Sequence, residues 1–342
     1  MKVRIRRPDD MHRHLRQGPM LGTTLKYLGP FARALCMPNL TPPIANRTDV
    51  ERYSGEISQS LPSNTSFTPL IAIKLLDSTT PAIIEEAYNA GAAAVKVYFR
   101  GTTTNSEDGV LIQELEQSYP VFEKMQYINR LNKRKILLLW HGENPLSDYC
   151  LDQEEGFLNY LVEAHRNFPG LKMVMEHITT QAAVNVVKGL GDNVAATITP
   201  HHLRLTTDSI IRGKLRPHNF CMPVAKRPQD RNALIEAAIS GNPKFFLGTD
   251  DAPHARNKKE CAEGCAGVWT GPYGLNHYAE VFEQAEALDK LEGFASVFGA
   301  RFYELPLNED CVDLVREPLL VEPELDGLVP FMAGQTLNWQ AV

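Results

Sequence analysis

The chain has 342 residues, of which 43% are hydrophobic and 22% are charged, and its formal net charge at pH 7 is −6. This is the composition of a globular protein with a sizeable core, and the acidic balance argues against a nucleic-acid partner. The opening residues, MKVRIRRPDD, lack the apolar core of a secretory signal, and no long apolar run is present, so we expect no membrane association. The six cysteines form no recognisable disulfide pattern, which favours a reducing, cytoplasmic compartment.

Short apolar runs alternate with amphipathic segments along the chain. The predicted strands are MHRHL (11–15), RALCMPN (33–39), FTPLIAIKL (67–75), AAAVKVYF (92–99), ILLLWHGE (136–143), LKMVMEHIT (171–179), VAATITPHH (194–202) and KFFLGTDDAPH (244–254). Helical patterns lie at 80–91, 109–133, 154–168 and 229–241. Eight buried strands that alternate with helices predict an α/β fold, a single (β/α)₈ TIM barrel over residues 1–342. The Pro-containing tail from about residue 300 is expected to pack on the barrel exterior.

Polar residues end most of these strands, and in a (β/α)₈ barrel the active site lies at the carboxyl ends of the strands. The residues concerned are His12 and His14, Asn39, Lys96, His141, His177 and Asp250, with His254 in the loop beyond. Alternation along a strand places His12 and His14 on one face, with Arg16 following if the strand runs so far. A His-x-His pair alone is as readily structural as functional, but four histidines, a lysine and an aspartate at one mouth predict a metal site.

Lys96 is the unusual member of this set. Its neighbours Val95 and Val97 point the opposite way, so its ammonium group faces the barrel interior, where a lysine is rarely buried without a partner. Burial lowers the pKa of an amine, and three roles remain open: a Schiff-base nucleophile, an ion-pair partner, or an amine that captures carbon dioxide as a carbamate. The nearby imidazoles favour the carbamate, because an ammonium group would repel metal ions.

The motifs HRHLR, MPN, KVY, HGE, EHIT and GTDDAPHA resemble those of the amidohydrolase superfamily, and more closely those of dihydroorotases of the short, homodimeric bacterial type. The resemblance runs in order from about residue 4 to residue 340. It implies the reversible, zinc-dependent hydrolysis of L-dihydroorotate to N-carbamoyl-L-aspartate, the third step of de novo pyrimidine biosynthesis. It also implies a homodimer whose partner in the reaction is a small-molecule substrate.

The same resemblance implies a binuclear centre with two Zn²⁺ per chain. His12, His14 and Asp250 would bind the more buried ion, and His141 and His177 would bind the second. Lys96, N6-carboxylated by carbon dioxide, would bridge both ions together with a hydroxide. Asp250 would accept the proton of the attacking hydroxide as general base and pass it to the leaving ring nitrogen as general acid.

Substrate contacts are implied in the same way. Arg16, Asn39 and His254 would hold the substrate carboxylate, because a guanidinium group offers two parallel donors. The main chain near Met222 and Ala266 would hold the pyrimidine edge. The Thr-rich segment 100–109 would form a lid, with the hydroxyls of Thr103 and Thr104 reaching the substrate.

Other polar residues at the barrel mouth, and other functions, fit the sequence less well. His201 and His202 lie at the correct end of the barrel, but the family has no metal ligand there, which favours a structural or supporting role. Glu143 and Glu176 lie close to proposed ligands and are candidates for supporting them. A hydantoinase or allantoinase would share the metal site without needing Arg16, Asn39 and His254 together, and a non-catalytic barrel would usually lack some ligands. A nucleotide enzyme is disfavoured because neither glycine-rich phosphate motif is present.

Overall fold

The computed structural model describes residues 1–342 and contains thirteen β-strands. They are β1 (Lys2–Arg6), β2 (Asp9–Arg13), β3 (Arg33–Cys36), β4 (Thr68–Lys74), β5 (Ala94–Val97), β6 (Leu137–Trp140), β7 (Met173–Met175), β8 (Val194–Ile198), β9 (Phe245–Leu247), β10 (Cys311–Val315), β11 (Leu319–Leu320), β12 (Thr336–Leu337) and β13 (Gln340–Ala341). Strands β2 to β9 form one sheet in chain order, and every neighbouring pair in it is parallel. The predicted (β/α)₈ barrel is confirmed.

Helices connect and surround these strands. They are α1 (Pro19–Lys26), α2 (Arg47–Ser60), α3 (Pro81–Asn89), α4 (Tyr119–Leu131), α5 (Gln153–Asn167), α6 (Gln181–Gly189), α7 (Asp208–Ile211), α8 (Pro228–Ile239), α9 (Arg256–Lys259), α10 (Gly274–Gln284) and α11 (Phe298–Phe302). The pattern at 109–133 divides into a 3₁₀ helix, Ile112–Ser118, and α4, because Pro120 occupies the first turn of a new helix. None of the helices combines the length and apolar character that a membrane span requires.

The first and last strands of the barrel, β2 and β9, are joined mainly through the residues that follow β9. The Asp250 amide donates to the carbonyl of His12 (2.9 Å), and the His14 amide donates to the carbonyl of Asp251 (3.0 Å). Arg13 and Asp251 form a parallel bridge at the same place. The segment after β9 therefore takes its position against the end of β2, and this pairing brings Asp250 next to the His-x-His pair.

An apolar layer fills the barrel interior beneath the polar mouth. Ala94, Leu139 and Val174 belong to it, and each lies two residues before a polar residue on the same face of its strand. Phe302 and Tyr303 belong to the same cluster, so this part of the tail contacts the apolar layer. Farther on, β1 pairs with β10 and β10 with β13, which ties the two ends of the chain into a small antiparallel sheet.

Candidate active site

The carboxyl ends of the barrel strands surround a small cavity. All but two of the predicted site residues line it: His12, His14, Arg16, Asn39, Thr103, Thr104, His141, His177, Met222, Asp250 and Ala266. The two exceptions adjoin it: the fully buried Lys96 lies close enough to influence His141 and His177, and His254 contacts Arg16. The cavity volume is ≈ 20 Å³, room for about one water molecule.

His12, His14 and Asp250 form the first cluster of donors. Oδ1 of Asp250 lies 3.1 Å from Nε2 of His14 and 3.3 Å from Nε2 of His12. One ligand atom from each residue lies within 4.8 Å of the others, and all three residues are buried. Burial alone would raise the pKa of Asp250, but the charge of His12 and the hydrogen bonds of His12 and His14 hold it well below its ordinary value. An ionised carboxylate beside two imidazoles is a donor set that suits Zn²⁺.

His141 and His177 form a second pair of donors across the mouth. Nδ1 of His141 lies 3.2 Å from Nε2 of His177, and the rings of His12 and His177 are 4.9 Å apart, centre to centre. Burial and the Lys96 charge hold the pKa of His177 well below its ordinary value, so its ring is neutral at pH 7. Neutral imidazole is the form that binds metal.

Lys96 is wholly buried and its ammonium nitrogen has no hydrogen-bond partner. Its Nζ lies 5.4 Å from the centre of the Tyr98 ring, and burial lowers its pKa to about 8. An unpaired buried ammonium group is costly, whereas a carbamate on the same nitrogen would offer oxygens to metal ions on both sides. The donors present at the mouth thus fit a metal centre that includes Lys96.

Two carboxylates hold the histidine rings in place. Glu176 accepts hydrogen bonds from Nδ1 of His12 (2.8 Å) and from Oγ1 of Thr197 (2.6 Å). Glu143 lies 2.8 Å from Nε2 of His141. In both His12 and His141, one ring nitrogen contacts a glutamate, and the other ring nitrogen is left to face the cavity. The sequence marked both glutamates only by their proximity to histidines, and it gave no sign of Thr197.

Arg16 reaches the cavity by a turn and not along a strand. Strand β2 ends at Arg13, and Arg16 has a left-handed backbone with φ 63°. Its Nε donates to the carbonyl of Pro253 (3.0 Å), and its terminal nitrogen lies 3.0 Å from Nε2 of His254. The same His254 nitrogen lies 3.0 Å from the carbonyl of Ala266, and one tautomer can serve only one of these contacts. Arg16 and His254 thus lie side by side, and β2 does not run as far as Arg16.

The segment 100–109 lies over the cavity and is held at several points. Nδ2 of Asn39 donates to the carbonyl of Thr104 (3.3 Å), and Nδ2 of Asn105 donates to the carbonyl of Asn39 (3.0 Å). The buried Lys74, at the end of β4, pairs with Asp108 and donates to the carbonyl of Asn105 (2.7 Å). Sequence reasoning missed Lys74, because it reads as an ordinary strand residue until its partner in the loop is known.

A (β/α)₈ barrel that gathers imidazoles, a carboxylate and a buried lysine at its carboxyl mouth defines a metal-dependent hydrolase of the amidohydrolase type. The chain is 46% identical to a dihydroorotase of Teredinibacter turnerae over 343 residues, which cover 98% of this chain and 97% of that protein. It is 45% identical to a dihydroorotase of Nitrosococcus oceani over 347 residues, which cover 99% of this chain and 98% of that protein. No protein-family model matches the chain.

Solved structures agree with these relatives. The dihydroorotase of Saccharomyces cerevisiae in complex with 5-fluoroorotic acid superposes with a TM-score of 0.91 at 35% sequence identity. That match covers 100% of this chain and 98% of the yeast chain. The chain belongs to the dihydroorotase family.

Proposed function

We propose that this chain catalyses the reversible hydrolysis of L-dihydroorotate to N-carbamoyl-L-aspartate, a step of pyrimidine biosynthesis. The observation that carries the proposal is one mouth at which four imidazoles, Asp250 and an unpartnered Lys96 face each other beside Arg16 and His254. The imidazoles, Asp250 and Lys96 suit metal-assisted attack on an amide, and Arg16 with His254 suits an anionic substrate. Their combination favours a cyclic amide that bears a carboxylate.

The metal ligands follow from the two donor clusters. His12, His14 and Asp250 would hold one Zn²⁺, His141 and His177 would hold the other, and carboxylated Lys96 would bridge them. The metal ions would supply polarisation of the ring carbonyl and activation of a water molecule. Glu176 and Glu143 would orient His12 and His141 through the 2.8 Å contacts of their carboxylates.

Asp250 would carry the proton. Its carboxylate, kept ionised by His12 and His14, accepts a proton from the attacking water while the water oxygen bonds to the ring carbonyl carbon. When the bond between that carbon and the ring nitrogen breaks, Asp250 passes the proton to the nitrogen. Hydrolysis thus consumes one water and leaves Asp250 ionised again, and the cyclisation runs through the same steps in reverse.

Arg16, Asn39 and His254 would fix the substrate carboxylate. Burial and the Arg16 charge lower the pKa of His254 to about 3, so its ring is neutral and the positive charge belongs to Arg16. The main chain at Met222 and Ala266 would contact the pyrimidine edge, and Thr103 and Thr104 would close over it. A small apolar substrate would leave the buried polar groups of this pocket unpaired, which disfavours it.

The test measures dihydroorotate hydrolysis, followed by loss of ultraviolet absorbance, together with metal content on the same sample. We expect turnover with about two zinc ions per chain. His12→Ala should abolish turnover and lower metal content, whereas Arg16→Ala should keep the metals and raise KM. Loss of metal in Arg16→Ala would contradict this division of roles. Metal without turnover on dihydroorotate, but with turnover on hydantoin or allantoin, would replace the proposed substrate.

Two further expectations accompany the activity. A homodimer is implied by the family resemblance, and light scattering of the purified chain would test it. The six cysteines are free in the structure, which is consistent with the reducing, cytoplasmic compartment expected from the sequence.

A further inference from the structure

A second group of side chains that could hold a metal ion adjoins the active-site cavity, and one of its members, Cys221, also lines that cavity. His201 and His202 follow strand β8, and Cys221 approaches them from the segment that leads to Met222. All three are buried, and one ligand atom from each lies within 4.8 Å of the others. None of the three has a part in the proposed hydrolysis.

Three atoms of this group already have the spacing of a coordination shell. Sγ of Cys221 lies 3.4 Å from Nε2 of His202, and the carbonyl oxygen of Pro223 lies 3.0 Å from that nitrogen and 3.4 Å from Sγ. Around a tetrahedral zinc ion, with bonds of about 2.3 Å to sulfur and about 2.0 Å to nitrogen, neighbouring donors are about 3.3–3.5 Å apart. The two edges that meet at Sγ of Cys221 have this spacing, and the edge between Nε2 of His202 and the Pro223 carbonyl is about 0.3 Å shorter.

Hydrogen bonds do not account for the whole group, because the ring of His201 makes none. Both of its ring nitrogens are buried without a hydrogen-bond partner, although its ring centre lies only 4.5 Å from that of His202. The ring of His202 and the thiol of Cys221 could both donate a hydrogen to the carbonyl of Pro223. Those two hydrogen bonds would still leave the imidazole of His201 buried without a partner. Buried imidazoles without partners are rare, because each unpaired nitrogen loses its contacts with water.

We propose that His201, His202 and Cys221, with the carbonyl of Pro223, bind a further transition-metal ion of the class that takes imidazole and thiolate ligands, such as Zn²⁺. Binding would release the thiol proton of Cys221 to solvent and leave a thiolate–metal bond. Burial lowers the pKa of His202 to about 4 and that of His201 well below its ordinary value, so both rings are neutral and can bind metal at pH 7.

Occupancy would tie the end of β8 to the segment Cys221–Pro223. Met222 lies within that segment and lines the active-site cavity. This consequence for the substrate pocket rests on the proposed function, whereas the metal site itself does not. A test that reads metal binding without turnover therefore separates the two proposals.

Cobalt provides that test, because the ligands proposed for the active-site metals include no sulfur, and His12→Ala separates the band of Cys221 from metal held by those ligands. We expect the full-length chain, exchanged into Co²⁺, to show a near-ultraviolet thiolate-to-cobalt charge-transfer band and about one equivalent of metal beyond the active-site content. Cys221→Ser should lose both the band and that equivalent, and His201→Asn should lose that equivalent. Cys265→Ser, which changes another thiol, should keep both. His12→Ala should lose active-site metal but keep the band.

Several results would overturn the proposal. They are a wild-type chain without the sulfur band, a band that survives in Cys221→Ser or disappears in Cys265→Ser, and a His201→Asn variant with undiminished metal content. The wild-type spectrum decides the matter even if a variant fails to fold, and circular dichroism identifies such a failure.

Discussion

The hydrogen bond from His12 to Glu176 should control metal affinity, and Glu176→Gln tests it. The Glu176 carboxylate accepts from Nδ1 of His12 at 2.8 Å and from Oγ1 of Thr197 at 2.6 Å, and the side chains of Glu176 and His12 are at most 1% exposed. Glutamine keeps the shape but removes the negative charge that makes the opposite ring nitrogen a stronger donor. Loss of such a supporting contact weakens metal binding by about 10–100-fold, or about 1.4–2.7 kcal/mol.

The assay is competition with a chelator, with metal content and turnover measured on the same samples. Glu176→Gln should lose metal at about 10–100-fold lower chelator concentration than the wild type, and turnover should fall in parallel. Glu143→Gln is the matched variant for His141, whose Nε2 lies 2.8 Å from that carboxylate. Glu280→Gln is the control. Its buried carboxylate accepts a hydrogen bond from Asn338, and both residues are far along the chain from His12 and His141.

Two results would refute this reasoning. One is a Glu176→Gln chain that retains metal as firmly as the wild type, because the carboxylate would then have no influence on His12. The other is an equal loss of metal from Glu280→Gln, because the effect would then follow from general destabilisation.

Two other predictions concern the lysines. Lys96→Ala should lower kcat by at least about 100-fold, because metal ions contribute several kcal/mol to such reactions. Short carboxylic acids should restore part of the lost activity by replacing the carbamate oxygens. Activity that stays near the wild-type level would exclude a bridging role. Lys74→Met should raise KM about 10-fold, since a hydrogen bond to a charged group contributes about 1.5 kcal/mol, while metal content stays unchanged. Asp108→Asn should act in the same direction, and an unaltered KM in both variants would show that this pair does not hold the loop.

The barrel could be predicted from the sequence because each buried strand is a short apolar run, but the strand ends could not. The run KFFLGTDDAPH predicted a strand over 244–254, whereas β9 covers only Phe245–Leu247. Apolar periodicity ends where the polar residues begin, and those residues leave the hydrogen-bonded ladder to form the mouth. The same effect shortens the predicted strand at 33–39 to Arg33–Cys36.

Helix α2 escaped prediction for a different reason. The amphipathic signal of α2 is weak, because it buries only Val50, Tyr53 and Ile57. Its start is marked instead by Asn46, whose side chain accepts a hydrogen bond from the Asp49 amide, and Thr180 caps α6 in the same way. These capping residues could have revealed the two helix starts, since a capping residue specifies a helix start without any apolar pattern.

The site residues could be predicted where one strand carries them, and not where contacts cross the barrel. His12 and His14 are visible as a pair because alternation relates them directly. Thr197 and Lys74 acquire their roles from Glu176 and Asp108, which lie on other segments. No local pattern encodes such contacts, because they depend on which strand ends the closed barrel brings together.

The backbone at His177 shows how the mouth gains more donors than alternation allows. Consecutive strand residues point to opposite faces, yet Glu176 contacts His12 and the next residue, His177, contacts His141. His177 has φ 43° and Asp250 has φ 48°, both in the left-handed region that residues other than glycine rarely adopt. Such a conformation costs of order 1–3 kcal/mol at each position, and the surrounding packing must offset it. The residues in this conformation, His177 and Asp250, line the cavity, whereas the residues that precede them, Glu176 and Thr249, do not. A β-branched residue at either position would disturb the backbone as well as the chemistry.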